Sequence, residues 1–230
     1  MGEVLKVIET ANSYAGVREG SAAYDDLIKT FEMSGYKYDG QGCTEIALAF
    51  IIKALGLKRA KQICPMSNYS NQLAKKFKEL QDIPALGSLV FFDWHDGKGI
   101  QHVEIVTGIT DKSIKTVDGN SYHQIIKRER LFSNKYIAGY GVPDYKEDKD
   151  IHVMDFLNAC IETIVIKYGD KGRLVLWAQK YLQAHGFYLD GKLDGWFHDY
   201  MLKEVKRWQA ANNLYVDGDI AKFCLTFMLK

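Results

Sequence analysis

The stretch from Gly40 to Gly56 constrains the fold more than any other part of the chain. Its first glycines permit a tight turn, and no helix breaker follows until Gly56, a residue type that commonly ends helices. The intervening residues 43–55 are apolar on almost every side, so we expect a helix through the middle of a core. Cys43 begins this helix, where the helix dipole favours a thiolate and would prepare a nucleophile. A small core residue is the alternative interpretation.

Charge and hydropathy narrow the class of protein. The formal net charge is +1 and neither half of the chain has an excess of Lys and Arg, so we expect no nucleic-acid partner. The longest apolar run, Ile46 to Ile52, is far shorter than the roughly 20 residues that cross a bilayer, so we expect no membrane insertion. The N-terminus lacks the pattern of an export signal. We therefore expect a protein that is made in the cytoplasm without a signal peptide. We also expect a monomer.

Short β-branched and aromatic runs separated by turns predict one antiparallel sheet after a helical first part. The predicted strands are 87–92, 100–107, 113–118 and 124–128, with a further candidate at 136–140, and helices are predicted at 3–17, 24–33, 43–55 and 68–80. We therefore predict an α+β domain over residues 1–145.

The chain changes character after residue 145. A short charged run predicts a linker at 146–152, and only helical patterns follow it, at 154–168, 174–185, 200–212 and 220–229. We predict a small all-α domain over residues 153–230. A weak repeat pairs Phe187–Gly191 with Leu214–Gly218. Each copy follows a residue, Gly186 or Asn213, that tolerates the left-handed conformation found at helix ends.

A cysteine nucleophile requires a nearby base and a group that orients the base. Among the six histidines, His102 stands out because strand alternation places it on the same face as Glu104. The next predicted strand ends in Asp118 and Asn120, either of which could orient the imidazole. The alternative is a half-buried strand histidine beside an ordinary turn. The cysteines at 64, 160 and 224 are interpreted as free thiols, the last two in packing roles.

Segments 42–50, 101–106, 116–121 and 136–145 resemble the successive motifs of CHAP domains, the papain-like cysteine amidases and peptidases of bacterial and phage cell-wall hydrolases. The resemblance covers about residues 1–145 and implies a papain-like α+β fold with a central helix packed on an antiparallel sheet, without a cofactor. It implies the following roles: Cys43 as nucleophile, His102 as general base, Asp118 as the acid that orients it, Asn120 as an accompanying polar residue, and Gln41, displaced by one position, as an oxyanion donor.

The sequence departs from this family in two places. Gly42 precedes the cysteine where an aromatic residue or glutamine is commoner, and Gly87-Ser88 stands where the family often has Gly-Asp. Some relatives bind calcium through acidic residues just ahead of the cysteine. Only Asp39 and Glu45 flank it here, so we predict no calcium site and no other metal site.

The second half resembles the type 1 peptidoglycan-binding domain, a module of three helices. The resemblance involves apolar positions of the helix 174–185, the loop 189–195, Trp208-Gln209 in the next helix, and the turn 216–218. It implies bacterial peptidoglycan as the partner. The aromatic residues Tyr188, Trp196 and Tyr215 could stack on sugar rings, and the alternative is that they belong to the core.

These features predict a cell-wall lytic enzyme that hydrolyses an amide bond of peptidoglycan by a Cys-His-Asp/Asn thiol mechanism. Whether it is an N-acetylmuramoyl-L-alanine amidase or a peptide endopeptidase is left open. The resemblance also implies a phage or prophage endolysin that acts on the wall after release. One alternative is a non-catalytic wall-binding component of a phage or wall-associated machine. Another is a metal-dependent amidase built from Asp93, His95, Asp96 and His102, whose spacing is not that of a zinc site.

Overall fold

The structure is a computed structural model that describes residues 2–94, 98–146, 156–158 and 160–229. The chain divides into two compact units, Met1–Asp148 and Lys149–Lys230. Of the predicted linker at 146–152, only residue 146 lies within the described residues.

The first unit consists of helices followed by strands, as predicted. The helices are α1 Glu3–Ser13, α2 Ala22–Glu32, α3 Cys43–Leu55, α4 Leu57–Ile63 and α5 Ser70–Lys76. The strands are β1 Leu89–Asp93, β2 Ile100–Ile109, β3 Ser113–Ser121, β4 Gln124–Leu131 and β5 Ile137–Gly141. They form one antiparallel sheet in the order β4-β3-β2-β1-β5. The α+β class is therefore confirmed.

Helix α3 forms the centre of the core of this unit. Its residues 43–52 are all buried, and it packs against α1, α2, β2 and β3. Each large apolar side chain that is fully buried contributes roughly 1.5–3 kcal/mol, so the buried residues of this helix contribute substantially to the stability of the unit. The residues of the sheet that pack with α3 include Leu89, Phe91, Val103, Ile105 and Val117. A smaller cluster on alternate strand positions contains Val90, Phe92, Val106, Ile114 and Tyr140.

Two helical segments of this unit differ from the sequence prediction. The sequence predicts no helix at 57–63, but α4 begins there after the single residue Gly56 that separates it from α3. The predicted helix 68–80 is shortened to Ser70–Lys76, and Phe77 is extended with a ψ of 139°. The ring of Phe77 lies against Gly141 and against the ring of Phe91, with centroids 6.0 Å apart. Tertiary packing of Phe77 therefore ends the helix.

Among its described residues, the second unit contains three main helices, α6 Arg173–Ala184, α7 Asp199–Ala211 and α8 Lys222–Met228. Its all-α class is confirmed. The predicted helix 154–168 is wrong over residues 161–168. Residues 161–163 form a turn, and Ile166 exchanges backbone hydrogen bonds with Ile220, at 3.0 and 2.9 Å. Residues 156–158 and 160 are helical, and 154, 155 and 159 lie outside the described residues.

A buried glutamine holds each Asp-Gly loop of the second unit. Gln179 Nε2 donates to Asp194 Oδ1 at 2.9 Å, and Gln179 Oε1 accepts from the Gly195 N–H at 2.9 Å. The second loop repeats this arrangement: Gln209 Nε2 donates to Asp217 Oδ1 at 2.8 Å, and its Oε1 accepts from the Gly218 N–H at 2.9 Å.

The repeat in the structure therefore pairs different segments from the repeat predicted from the sequence. Asp194-Gly195 is the counterpart of Asp217-Gly218, whereas the sequence repeat paired Asp190-Gly191 with it. The beginning of the sequence repeat does correspond, since Gly186 and Asn213 adopt φ values of 81° and 55° after their helices. The two loops differ in length beyond that point, and a fixed sequence offset cannot follow a change of loop length.

Candidate active site

Cys43 is the first residue of α3, and 7% of its surface is exposed. The turn before it depends on Gly42, which has a φ of 79°. A Cβ at this position would lie 2.6 Å from Asn120 Nδ2 and 2.8 Å from Tyr24 Oη. Both the backbone conformation and the available space therefore require glycine here. This explains why the chain departs from the larger residue that is commoner before the cysteine.

His102 lies near the start of β2 with its Nε2 directed at two carboxylates. Nε2 is 3.2 Å from Glu104 Oε1 and 3.4 Å from Asp118 Oδ1. Glu104 and Asp118 are direct partners across β2 and β3, and both are buried. The imidazole also interacts with the side chain of Cys43. Because Nε2 faces the carboxylates, we infer that Nδ1 is the ring nitrogen that faces the Cys43 thiol.

Hydrogen bonding dominates the electrostatics of the imidazole. Burial disfavours the imidazolium, but hydrogen bonds with Asp118, Cys43 and Glu104 outweigh this effect and raise the pKa of His102 to about 11. Burial also opposes ionisation of the two carboxyls. Hydrogen bonds from His102 nevertheless hold the pKa of Glu104 and of Asp118 below their usual values. The site therefore favours a charged imidazole beside ionised carboxylates.

Two arginines on β4 compensate the buried negative charge. Arg128 Nε donates to Asp118 Oδ2 at 3.0 Å. Arg130 donates to Glu104 through Nε at 3.2 Å and also through Nη2. The Thr116 hydroxyl donates to the same carboxylate at 2.5 Å. Each buried carboxylate thus has a cationic partner, which is the condition under which such charges are tolerated in a core.

Within the part of the chain that the structure describes, His102, Glu104 and Asp118 also form a group that could hold a metal ion, with ligand atoms within 4.8 Å of one another. Both carboxylates already accept from arginine side chains, Arg128 and Arg130, so a cation would be repelled by two neighbouring positive charges. The set of donors therefore fits an oriented imidazole better than a metal ion. For the metal-dependent alternative, His95 and Asp96 lie outside the described residues.

A third buried carboxyl, Glu45, lies in the first turn of α3. Neither of its oxygens has a hydrogen-bond partner among the described residues. Burial and the nearby Asp39 raise the pKa of Glu45 to about 7. These two carboxyls alone fall short of the roughly six to eight oxygen ligands that calcium takes. The expected lack of a calcium site stays a prediction.

Asn120 has a different partner from Asp118. Its Nδ2 donates to the carbonyl oxygen of Gln41 at 3.1 Å, and its backbone N–H donates to Asp118 Oδ1 at 3.2 Å. Of the two residues left open by the sequence, Asp118 is the one brought to His102. Asn120 instead ties the end of β3 to the turn that precedes the cysteine. Gln41 lies on that turn and is exposed.

Sequence reasoning missed Glu104 as a member of the site. The alternation of β2 placed it on the same face as His102, and this was the available signal. Its importance depends on the register of β2 against β3, which makes Glu104 and Asp118 direct neighbours. It also depends on Arg130, which no motif in the sequence connects with Glu104.

A polar groove of about 340 Å³ opens at His102. Trp94, 39% exposed, forms an aromatic wall beside the imidazole, with its ring centroid 6.1 Å from that of His102 and 5.5 Å from that of Phe92. The groove therefore offers a substrate one aromatic surface and several hydrogen-bonding groups. Its lining residues are Trp94, Gln101, His102, Asp118, Asn120, Ser121, Arg128 and Arg130.

In the second unit, the expectation of sugar contact requires a correction for Tyr188. This residue is fully buried, and its hydroxyl accepts from Gln179 Nε2 and donates to the Lys192 carbonyl, at 3.2 and 3.0 Å. Its ring offers no surface to a ligand because it fills the core of the unit. Trp196 and Tyr215 are 46% and 85% exposed. Tyr215 lines an apolar pocket of about 460 Å³.

The remaining cysteines, at 64, 160 and 224, are buried, and no disulfide joins the cysteines of the described residues. Burial raises the pKa of Cys64, which makes it a poor nucleophile. No helix in the described ranges combines the length and hydropathy that a membrane-spanning segment needs.

Two segments of the chain match models of known protein families. Residues 32–120 match the family model of the CHAP domain, and residues 171–225 match the PG_binding_1 model of a peptidoglycan binding domain. A search of curated proteins finds no match. One solved structure with 13% identity is a periplasmic domain of the EpsAB fusion protein of the Vibrio vulnificus type II secretion system. The match covers 62% of this chain and 55% of that chain, with a TM-score of 0.25.

The matched CHAP segment contains Cys43, His102, Asp118 and Asn120, and the second match contains both Asp-Gly loops. The two matches support a cell-wall hydrolase-like role with peptidoglycan as the partner. The chain therefore combines a CHAP domain with a C-terminal peptidoglycan-binding domain of the PG_binding_1 family.

Proposed function

We propose that the protein is a cysteine-dependent hydrolase that cleaves an amide bond of bacterial peptidoglycan. The observation that carries this proposal is the set of partners of His102: the Cys43 side chain, and the carboxylates of Asp118 and Glu104 at Nε2. A thiol, a base and a group that orients the base are the components of nucleophilic catalysis by cysteine.

The chemistry follows from this arrangement. His102 accepts the Cys43 proton, and the thiolate Sγ attacks the carbonyl carbon of the amide. When the C–N bond breaks, the imidazolium returns the proton to the leaving amine, and a thioester remains on Cys43. His102 then accepts a proton from water, which hydrolyses the thioester and restores the thiol. The raised pKa of His102 keeps the proton on the imidazole until the amine leaves.

Other residues have supporting roles in the proposal. Gln41 is exposed on the turn before Cys43 and is the candidate donor to the oxyanion. Asn120 holds that turn through the Gln41 carbonyl. The second unit keeps the enzyme on the wall, and the exposed rings of Trp196 and Tyr215 are candidates for sugar contact.

The finer assignment has two forms, an N-acetylmuramoyl-L-alanine amidase or a peptide endopeptidase. Mass spectrometry of the fragments released from purified walls distinguishes them, since the first produces a free lactyl carboxyl and the second a free amine within the peptide. We also propose that the protein is made in the cytoplasm and acts on the wall after release, as an endolysin does.

The test replaces the nucleophile and a matched cysteine. Cys43→Ala should reduce the release of fragments from purified walls by at least about a thousandfold, with the melting temperature unchanged within a few degrees. Cys64→Ala, a second buried cysteine, should leave catalysis intact. A Cys43→Ala variant that still lyses walls would refute the mechanism. If the wild-type protein binds walls and releases nothing, the chain is a non-catalytic wall-binding component.

A chelator and a thiol alkylator separate the remaining alternative. The proposed mechanism predicts that iodoacetamide inhibits the wild-type protein and that EDTA does not. Inhibition by EDTA alone would support the metal-dependent amidase instead.

A further inference from the structure

We propose that Glu104 is a second positioning residue for His102, so that two carboxylates hold the imidazole where a single acid would suffice. This inference rests on the proposed role of His102 as the base. From the sequence, Glu104 is only a strand residue on the same face as His102.

The geometry at Nε2 carries the proposal. Glu104 Oε1 lies 3.2 Å from His102 Nε2 in hydrogen-bonding geometry, and Asp118 Oδ1 lies 3.4 Å from the same nitrogen. The single Nε2–H can donate to either acceptor. If one carboxylate is lost, the other is already in place to keep Nδ1 toward Cys43.

The surroundings of Glu104 fix its position and its charge. The residue is fully buried, and its carboxylate accepts from the Thr116 hydroxyl at 2.5 Å and from two nitrogens of Arg130. These bonds leave the carboxylate little freedom to rotate away from Nε2. A carboxylate held in this way positions the imidazole more precisely than one with a free side chain.

The charged groups around His102 come from four elements. Glu104 is on the same strand, Asp118 faces the ring from β3, Cys43 from α3, and Arg130 and Arg128 stand behind the carboxylates on β4. The two arginines cancel the charge of the two carboxylates.

A purely structural role for Glu104, as the partner of Arg130, predicts a different outcome. In that case its replacement would change the free energy of unfolding and leave the titration of His102 unaltered. A positioning role requires the titration to move. Loss of a carboxylate removes a stabilising partner of the imidazolium, so the pKa of His102 must fall.

The experiment is an NMR titration of the His102 ring in the full-length chain, with Glu104→Gln against Glu129→Gln. Glu129 is a matched control because it is a carboxylate of the same sheet, bonded to Ser113 at 2.5 Å and not to His102. We expect Glu104→Gln to lower the pKa of His102 by about one unit or more, and Glu129→Gln to leave it unchanged. The alkaline limb of wall hydrolysis should move to lower pH by the same amount.

A second variant covers the case in which Glu104→Gln fails to fold because Arg130 is left without an anion. Glu104→Gln/Arg130→Gln removes both charges together and should still lower the pKa of His102. An unchanged pKa in whichever of these variants folds overturns the proposal. The titration needs no substrate, so a pKa shift in a protein whose wild type does not hydrolyse walls would contradict the proposed function and would still show that Glu104 holds the imidazole.

Cooperation between the two carboxylates gives a further readout. Asp118→Asn and Glu104→Gln should each leave measurable hydrolysis, because the other acid still orients the ring. The double variant should lose activity by more than the product of the two single losses. A double variant whose loss equals that product would show that the two acids act independently, against the proposal.

Discussion

At the scale of single residues, the site contains buried carboxyl groups that differ in whether a cationic partner lies beside them. Glu104 and Asp118 are buried with cationic partners, which keep their pKa values low. Glu45 is buried without a hydrogen-bond partner among the described residues, and its pKa is raised to about 7. The same residue type therefore has opposite effects on stability, because burial of a charge is favourable only where a partner compensates it.

The environment of Glu45 predicts that ionisation of its carboxyl lowers the free energy of unfolding as the pH rises. Below pH 4.5 the carboxyl is protonated in both the folded and the unfolded state and costs nothing. Between that pH and about 7 the unfolded state releases the proton first, so the free energy of unfolding falls as pH rises. Above that range the free energy of unfolding is lower by the full amount, about 3 kcal/mol.

Glu45→Gln should therefore stabilise the protein at pH 8 and have little effect at pH 4. Urea unfolding at the two pH values measures the difference, and Glu9→Gln, at an exposed position of α1, is the control. An equal effect of Glu45→Gln at both pH values would contradict the buried, proton-retaining carboxyl.

At the scale of secondary-structure elements, the site depends on how closely β3 approaches the N-terminus of α3. A Cβ at Gly119 would lie 2.6 Å from Ile46 Cβ, so only glycine permits this contact. The Asn120 side chain then reaches the turn before Cys43. The approach of strand to helix thus brings residues that are far apart in sequence into one site.

The turn before α3 offers a matched pair of substitutions. Gly40 and Gly42 both have positive φ, but a Cβ at Gly40 would meet nothing within 4 Å, whereas one at Gly42 would collide with Asn120 and Tyr24. Gly40→Ala should cost about 1 kcal/mol from backbone strain alone. Gly42→Ala should cost a further 1–3 kcal/mol or so and reduce wall hydrolysis.

Denaturant unfolding and fragment release measure both variants. Equal losses of stability in the two would mean that the contact between Gly42 and Asn120 does not constrain the turn.

At the scale of the whole molecule, two units with their own cores carry separate tasks in the proposal. The first holds the reactive groups, and the second belongs to a peptidoglycan-binding family. A binding unit raises the local concentration of a tethered enzyme at its substrate without changing the chemistry.

Removal of residues 149–230 should therefore lower the fraction of protein retained by purified walls by about tenfold or more. The rate at which iodoacetamide alkylates Cys43 should stay the same. The substitutions Trp196→Ala and Tyr215→Ala in the full chain test whether exposed rings carry the binding. Undiminished wall retention by the shortened chain would assign binding to the first unit instead.

The sequence by itself determined the class of each unit and the central helix, and it nominated Cys43 and His102 as the nucleophile and base of the proposed mechanism. Hydrophobic periodicity and glycine positions are local properties, and they specified α3 and the strands. The resemblance supplied Cys43, His102, Asp118 and Asn120 as candidates because those residues lie in short local motifs that can be recognised without the fold. The Asp-Gly repeat was visible too, although the change of loop length led to the wrong pairing.

Only the tertiary structure decided which groups face the imidazole and which face the core. Glu104 joins the site through strand register and through Arg130, and Tyr188 leaves the sugar-binding set because its ring is enclosed. The Asn120 side chain donates to the Gln41 carbonyl, whereas the Asp118 carboxylate lies beside His102 Nε2. The physical reason is that contacts across strands depend on register and close packing, to which one-dimensional patterns are insensitive.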